Sequence, residues 1–150
     1  MGYNTKYMKI INRKARFNYC LEPERVEAGL SLLGAEAKAV RDNRADLSEA
    51  VVRILNKEAY LINANLPASD LTGYQPTRSR KLLLHRSELI TLETRAKQQK
   101  LTLIPLALYT KGHLVKLEIA LGKPKRKFEK RGVIKARDLK RELEKEFKIR

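Results

Sequence analysis

Two apolar segments joined by a short turn constrain the fold of this chain most strongly. Leu101–Tyr109 is almost continuously apolar, and Val115–Leu121 alternates aliphatic side chains with lysine, glutamate and alanine. Successive side chains of a strand point to opposite faces, so the alternation predicts a half-buried strand. Because Lys111-Gly112-His113 separates the two segments, they are predicted to form an antiparallel hairpin.

Further segments add strands to this hairpin. Phe17–Leu21 and Val26–Leu30 alternate on either side of Pro23, and Val51–Leu55 is followed, across a turn near Asn56–Lys57, by a returning strand within residues 59–66. Several antiparallel strands without β–α–β alternation predict a mainly β (α+β) fold, either a small antiparallel barrel of the oligonucleotide-binding type or a similar sheet. Its predicted interior comprises Val26, Leu30, Ile54, Leu61, Leu103, Ile104, Leu106, Leu108, Val115, Leu117 and Ile119.

About three short helices are expected around these strands. Residues 34–41 are rich in alanine, which favours a helix. Ser87 and Glu88, preceded by Pro76 and Thr77, predict the start of a second helix that continues to about Gln99. Residues 67–76 have the composition of an exposed loop that leads to it.

The stretch Pro76–Ile90 joins a basic cluster directly to an apolar one. Arg78, Arg80 and Lys81 place three cations within four residues, and the adjoining leucines can anchor them to a core. Cations held on a rigid support suit a phosphate backbone. The alternative is a helix start that carries a solvated charge cluster.

The overall charge predicts a polyanionic partner. The 150 residues suit one domain, and their formal charge of +16 with a pI near 10.1 favours nucleic acid over an acidic membrane. No apolar run is long enough to span a bilayer and the first residues are polar, so we expect a cytoplasmic protein without membrane partners. Residues 123–150 carry 13 Lys/Arg against 5 Asp/Glu, whereas residues 1–75 carry 11 against 9.

The sequence offers no set of residues for catalysis or for a cofactor. Cys20 is the single cysteine and, with His85 and His113 as the only histidines, cannot assemble a zinc site. Scattered glycines form no phosphate-binding loop, and neither histidine belongs to a nucleophile motif. We therefore expect no enzyme and no cofactor. His85 either stacks on a base or contacts a phosphate, or is a partly packed helix histidine.

Three parts are predicted along the chain: a flexible basic arm (residues 1–16), an RNA-binding barrel (17–122) and a basic tail (123–150). The residues after Gly122 cannot bury enough apolar surface to pack, so the tail is expected to be disordered until a polyanion neutralises it. Leu139, Leu143 and Phe147 recur every fourth residue and give it a thin helical stripe, whose partner the sequence does not identify.

Five motifs and the basic tail together resemble one family. The motifs are Asn12-Arg13-Lys14-Ala15-Arg16, Glu27-Ala28-Gly29, Gly34-Ala35-Glu36-Ala37-Lys38-Ala39-Val40-Arg41, Arg78-Ser79-Arg80-Lys81-Leu82-Leu83-Leu84-His85 and Leu103-Ile104-Pro105-Leu106-Ala107-Leu108-Tyr109. In this order and spacing they resemble small protein B, the SsrA-binding family of bacterial trans-translation, which binds transfer-messenger RNA (tmRNA). The likeness runs from about residue 12 to the C-terminus.

The resemblance implies a barrel of the oligonucleotide-binding type that grips the tRNA-like domain of tmRNA. It implies that the complex acts at the small-subunit decoding region of a stalled ribosome, where the tail enters the empty mRNA channel and becomes helical. Elongation factor Tu is then an indirect partner through the charged RNA, and the free protein is expected to be a monomer.

The resemblance also assigns residues to these roles. Glu27, Leu83 and Lys116 fall on the family's RNA-contacting face, and the neighbouring candidates for RNA binding are Lys38, Arg41, Arg78, Arg80, Lys81 and His85. The candidates for ribosome binding in the tail are Lys125, Arg126, Lys127, Phe128, Glu129, Lys130 and Arg131.

The tail departs from the family pattern at three positions. Pro124 stands where the family commonly has glycine, Phe128 where it has tyrosine or histidine, and Glu129 where it has aspartate. Phe128 keeps the ability to stack on a base but has no polar group. An alternative to the family's role is a ribosomal protein or assembly factor that binds ribosomal RNA through a basic tail.

Overall fold

The computed structural model of the chain describes residues 9–68, 72–126, 130–131 and 137–142. The elements, in chain order, are β1 (Lys9–Ile11), α1 (Lys14–Asn18), β2 (Tyr19–Leu21), β3 (Val26–Leu30), α2 (Gly34–Arg41), β4 (Val51–Leu55), β5 (Glu58–Ile62), β6 (Arg80–Leu83), α3 (Arg86–Gln98), β7 (Thr102–Lys111) and β8 (Leu114–Pro124). Residues 137–142 are helical as well.

Six of these strands close into an antiparallel barrel. Their order around the ring is β7, β4, β5, β6, β3 and β8, and β8 pairs back with β7. The short strands β1 and β2 extend the sheet by pairing with β7 and β8. The mainly β prediction and the antiparallel barrel are confirmed.

The hairpin of β7 and β8 closes the barrel and confirms the strongest prediction from the sequence. Gly112 lies in its turn with a φ of +63°, a conformation that glycine adopts without steric cost. At Gly122 the neighbouring strands come very close, because a Cβ there would lie 3.0 Å from Ile104 Cδ1 and 3.1 Å from the carbonyl oxygen of Cys20. Because Gly122 has no side chain, β2 and β7 can both pair closely with β8 at this position.

The second predicted hairpin, β4 with β5, is also confirmed. Asn56 and Lys57 form its turn with φ values of 50° and 64°, as tight two-residue hairpin turns require. The strand β5 is shorter than predicted and ends at Ile62, because Asn63 adopts a φ of 63° and turns the chain out of the ladder. Leu66 is nevertheless fully buried.

The predicted helix start at Ser87 and Glu88 is confirmed, but Pro76 and Thr77 lie outside that helix. Arg80–Leu83 forms the short strand β6 between β5 and β3, and the helix α3 begins only at Arg86. Glu88 marks this start, since its carboxylate accepts a hydrogen bond from the backbone of His85, the N-cap residue. The predicted end near Gln99 is confirmed.

The predicted N-terminal arm is wrong from Lys9 onward, and residues 1–8 lie outside the described part. Lys9–Ile11 is strand β1, paired with β7. Asn12 fixes the connection from β1 to α1, because its side chain donates to the Pro105 carbonyl at 2.8 Å. The predicted strand from Phe17 is also wrong at its start, because Phe17 belongs to α1 and the strand β2 begins at Tyr19.

The core fills the barrel as the alternation predicted, and α2 has the predicted bounds. Eight of the predicted interior residues are buried: Leu30, Leu61, Leu103, Ile104, Leu108, Val115, Leu117 and Ile119. Val26, Ile54 and Leu106 are half-buried instead. Outside the predicted set, Val40 of α2, Leu47 and Leu92 of α3 also belong to the core.

Most of the predicted tail lies outside the described residues, so its disorder stays a prediction. Leu143 and Phe147 of the predicted helical stripe also lie outside them. Of the described part, β8 continues past the predicted boundary at Gly122 as far as Pro124. The backbone of Lys125 then bonds to Asn18 at 2.8 Å. Among the described residues, no helix is long and apolar enough to cross a membrane.

Candidate nucleic-acid interface

A shallow depression crosses the outside of the barrel where β6, β3 and β8 lie side by side. Gly29 is paired with Leu83 on one side and with Lys116 on the other. The chain neighbours of all three are buried or packed against the core, so Leu83 and Lys116 point outward. Since Gly29 carries no side chain, the Leu83 side chain can lie over it, with its Cδ1 3.6 Å from where a Cβ of residue 29 would stand.

This depression continues into a groove of about 570 Å³. Its residues include Gly29, Lys57, Glu58, Lys81, Leu83, His85, Leu114 and Lys116. Leu83 and Leu114 are 57% and 61% exposed, which gives the groove an apolar surface between its lysines. Apolar surface with cations around it suits a ligand that combines flat bases with phosphates.

Lys81 stands at the rim of the groove in contact with a carboxylate. Its Nζ donates to Glu58 Oε1 at 3.1 Å, while the Tyr60 hydroxyl donates to Glu58 Oε2 at 2.6 Å. These two contacts hold the pKa of Glu58 below its usual value, the tyrosine contributing most. Glu58 is therefore ionised at neutral pH and holds Lys81 and Tyr60 together.

Glu27 lies on β3 two residues before Gly29, on the same outer face. Its carboxylate accepts a hydrogen bond from the Tyr109 hydroxyl and lies 3.8 Å from Lys111 Nζ. The hydrogen bond from Tyr109 lowers the pKa of Glu27, and Lys111 and Lys116 act in the same direction. The cation of Lys116 thus belongs both to the groove and to the surroundings of Glu27.

The prediction that Arg80 presents its charge to RNA is wrong. Arg80 is 0% exposed, because it occupies an inward position of β6. Its guanidinium donates to Glu36 Oε2 at 2.6 Å and to the carbonyls of Ala64 and Pro76, each at 2.8 Å. A cation enclosed in this way holds the fold together and has no surface to offer a ligand.

Arg78 also points to Glu36, and the two arginines form a largely buried cluster around this carboxylate. Arg78 Nε donates to Glu36 Oε2 at 3.0 Å, and the Tyr74 hydroxyl lies 2.9 Å from the same oxygen. Burial by itself raises the pKa of Glu36, but the hydrogen bonds from Arg78, the Leu33 backbone and Arg80 lower it to about 2. The carboxylate is therefore ionised throughout the neutral range.

The structure brings some of the predicted site residues together and separates others. Lys81, Leu83, His85 and Lys116 all line the groove, and His85 is exposed at its rim as the N-cap of α3. Lys38 and Arg41 lie on α2 and do not line it.

The predicted ribosome-binding residues lie elsewhere on the chain. Lys127, Phe128 and Glu129 are outside the described residues. Lys125 begins the tail beside α1, where its Nζ donates to the Arg16 carbonyl at 2.8 Å. Arg126, Lys130 and Arg131 are described, but none of them lines the groove.

Sequence reasoning missed four of the groove residues named above: Gly29, Lys57, Glu58 and Leu114. Lys57 lies in the β4–β5 turn and Leu114 at the start of β8, and both look like ordinary turn residues in the sequence. The signal that could have found Leu114 is its place two residues before Lys116, on the same face of a strand. Lys57 gives no comparable signal.

A closed antiparallel barrel with cations around an apolar groove is typical of the class of nucleic-acid-binding proteins. Within the described part of the chain, no group of three or more histidine, cysteine or acidic residues is arranged to hold a metal ion. The chain belongs to the family of the SmpB protein, small protein B, whose family model matches residues 9–149.

Relatives of similar length support this assignment. The SsrA-binding protein of Dehalococcoides mccartyi strain BAV1 is 43% identical over 158 aligned positions, which cover 100% of this chain and 91% of the relative. The SsrA-binding protein of Mesoplasma florum is 44% identical over 142 positions, covering 92% of this chain and 95% of the relative.

The fold is also similar to that of a solved structure. A chain from the study described as "tmRNA-SmpB: a journey to the center of the bacterial ribosome" superimposes with a TM-score of 0.65 at 34% sequence identity. The similarity covers 80% of this chain and 86% of that chain.

Proposed function

We propose that this protein binds the tRNA-like domain of tmRNA through the groove on β6, β3 and β8, and brings that RNA to stalled ribosomes for trans-translation. The observation that carries the proposal is the juxtaposition of Leu83, Gly29 and Lys116, three positions from distant parts of the chain that meet in one row. In this proposal the barrel works as one of the oligonucleotide-binding type, in which a strand face binds the nucleic acid.

The groove suits RNA with unpaired nucleotides. Lys57, Lys81 and Lys116 supply cations for phosphates, and the exposed side chains of Leu83 and Leu114 supply apolar contact for a base or ribose. Glu27 and Glu58 add acceptors, which favour base amino groups or 2′-hydroxyls over phosphates at their own positions. The protein in this role is a binding protein without a chemical step.

The tail is proposed to act separately from the barrel. Residues 123–150 are strongly basic and begin beside α1, where Lys125 bonds to Arg16. We propose that this tail binds the ribosome's decoding region and mRNA channel. Elongation factor Tu is then an indirect partner, through the charged RNA. The protein is then a cytoplasmic monomer when free. The family assignment favours this role over that of a ribosomal protein or assembly factor.

Binding to defined RNAs tests the proposal directly. A transcript of the tRNA-like domain of tmRNA is titrated against the full-length protein at fixed salt, beside a fragment of ribosomal RNA of equal length. We expect the tRNA-like domain to bind at least tenfold more tightly. Equal affinity for the two RNAs would contradict a tmRNA-specific role and would favour the alternative, a ribosomal protein or assembly factor.

The salt dependence of the same binding tests the groove. Lys116→Ala should lower the slope of log K against log salt by about one unit if the lysine contacts one phosphate. Lys97→Ala is the matched control, because Lys97 is exposed on α3, pairs with Glu93 at 3.1 Å and does not line the groove. An unchanged slope for Lys116→Ala would remove this lysine from the interface.

A further inference from the structure

Three outward residues form a second row beside the groove, on β4, β5 and β6. Arg53 is paired with Tyr60, and Tyr60 is paired with Lys81. Their neighbours Val52, Ala59, Leu61 and Leu82 are buried, so the three side chains emerge on the outer face. Residues directly opposite each other in adjacent strands have Cβ atoms about 5 Å apart, so the row places an aromatic ring between two cations.

This row is continuous with the groove through Lys81 and Glu58. Both residues line the groove, and Glu58 accepts hydrogen bonds from the Tyr60 hydroxyl at 2.6 Å and from Lys81 Nζ at 3.1 Å. The tyrosine is thus tied at its hydroxyl to the groove's rim. A side chain restrained in this way loses little freedom when a ligand packs against it.

The surface beyond Tyr60, on β4, also combines a cation with exposed apolar surface. Arg53 is exposed on β4, and Leu55, two residues along on the same face, is 54% exposed. Tyr60 itself is half-buried, so part of its ring is accessible. An aromatic ring beside cations is the arrangement by which proteins hold single-stranded RNA, because an unpaired base stacks on the ring while its phosphates meet the cations.

We propose that Tyr60 stacks on an unpaired nucleobase at the edge of the groove, and that Arg53 contacts the adjoining phosphate. The bound RNA strand then continues from the groove across β5 onto β4. This inference rests on the proposed function, since it extends the same RNA site by about one nucleotide. A base-paired segment of RNA cannot occupy this position, because a stacked, paired base presents no free face to a tyrosine.

A tryptophan reporter tests the stacking. The chain contains no tryptophan, so Tyr60→Trp introduces a single one. On titration with the tRNA-like domain transcript we expect its fluorescence to be strongly quenched, with a midpoint at the dissociation constant from direct binding. Tyr19→Trp on β2 is the control, because that position does not line the groove and should change little. Unquenched fluorescence of the Tyr60→Trp variant under saturating RNA overturns the proposal.

Affinities of two further variants separate the ring from its hydroxyl. Tyr60→Leu should weaken binding by roughly tenfold, within the range found for loss of one base–aromatic stack. Tyr60→Phe keeps the ring and should bind within about twofold of the wild type. Thermal melting shows whether each variant is folded. If Tyr60→Phe loses as much affinity as Tyr60→Leu, the hydroxyl rather than the ring matters and stacking is excluded.

The two proposals fail in different ways. If the wild-type protein does not bind the tRNA-like domain, the proposed function fails. If the wild type binds tightly while Tyr60→Leu binds equally well, only the stacking role of Tyr60 fails. Arg53→Ala gives an independent check, since it should lower the salt slope by about one unit without affecting the quenching at position 60.

Discussion

At the scale of single residues, Glu36 has the most demanding position in the protein. It is 0% exposed on α2, and its two carboxylate oxygens accept hydrogen bonds from Arg78, Arg80 and the Leu33 backbone. A buried carboxylate is stable only when its charge is balanced and its lone pairs are occupied. Here one anion lies between two cations, so removing its charge leaves both arginines without a counter-charge.

Glu36→Gln should lower the free energy of unfolding by about 3–5 kcal/mol, as breaking a buried ion pair from one side does. Denaturant unfolding followed by circular dichroism measures this change. Glu49→Gln is the control, because Glu49 is exposed and pairs with Lys14 at 3.2 Å; it should cost at most about 1 kcal/mol. Equal stabilities of the two variants would show that the cluster contributes no more than a surface pair.

The lowered pKa of Glu36 makes the stability of the protein depend on pH under acidic conditions. Its folded value of about 2 lies below the ordinary 4.5, so the unfolded chain binds a proton more readily. The stability due to this carboxylate is therefore complete above about pH 4.5 and is lost as the pH falls toward 2. Melting temperatures of the wild type and of Glu36→Gln should converge across this window. A constant difference between them down to pH 2 would contradict the lowered pKa.

At the scale of elements, the contact between β3 and β6 determines the shape of the groove. A Cβ at Gly29 would lie 3.2 Å from Leu83 Cβ, closer than most such contacts in proteins. The missing side chain therefore lets Leu83 lie across β3 toward Lys116. Strands β6 and β8 can share one ligand because Leu83 of β6 reaches over the strand between them.

Gly29→Ala should displace Leu83 and weaken RNA binding severalfold, with a stability cost of about 1 kcal/mol from the crowding. Filter binding and thermal melting measure the two effects. Gly34→Ala is the control, since a Cβ there meets nothing within 4 Å and the change should stabilise α2 by about 0.5 kcal/mol while RNA affinity stays constant. Wild-type affinity for Gly29→Ala would mean that RNA binding does not depend on the placement of Leu83 over β3.

The elements with clear alternation were predictable from the sequence, and β6 was not. Strands β4, β5 and β8 have apolar residues at every second position and β7 is almost continuously apolar, whereas β6 has Arg80 at an inward position and Leu83 at an outward one. A strand whose buried residue is an arginine paired with a distant glutamate looks polar where it should look apolar. The residue pattern alone did not show that Leu83, Gly29 and Lys116 form one row, because strand register depends on the whole barrel. Only the family resemblance placed Leu83 and Lys116 on the same face.

At the scale of the whole molecule, the folded body and the tail are linked beside α1. The strand β8 ends at Pro124, paired with Tyr19, and Lys125 continues the contact with α1. The groove uses the other end of β8, around Leu114 and Lys116. One strand therefore joins the proposed RNA surface to the start of the tail.

Removing residues 127–150 should leave the binding of the tRNA-like domain within about twofold of the full chain, because β8 and its contact with α1 stay intact. Peptide tagging on stalled ribosomes should be lost, since the basic tail is absent. Binding assays and a tagging assay in a cell-free translation system measure the two activities. If the truncated protein loses its RNA affinity, the separation into body and tail is wrong.

The closure of the barrel by its last strand also sets the order in which a new chain can fold. Strand β8 pairs with β2, β3 and β7, so three strands keep unpaired edges until residues 114–124 have been synthesised. Unpaired edges are sites of misassociation. Any product of interrupted synthesis that ends before β8 has neither a closed barrel nor a groove. A protein proposed to act in the rescue of interrupted synthesis thus acquires its binding surface only after its own strand β8 has been synthesised.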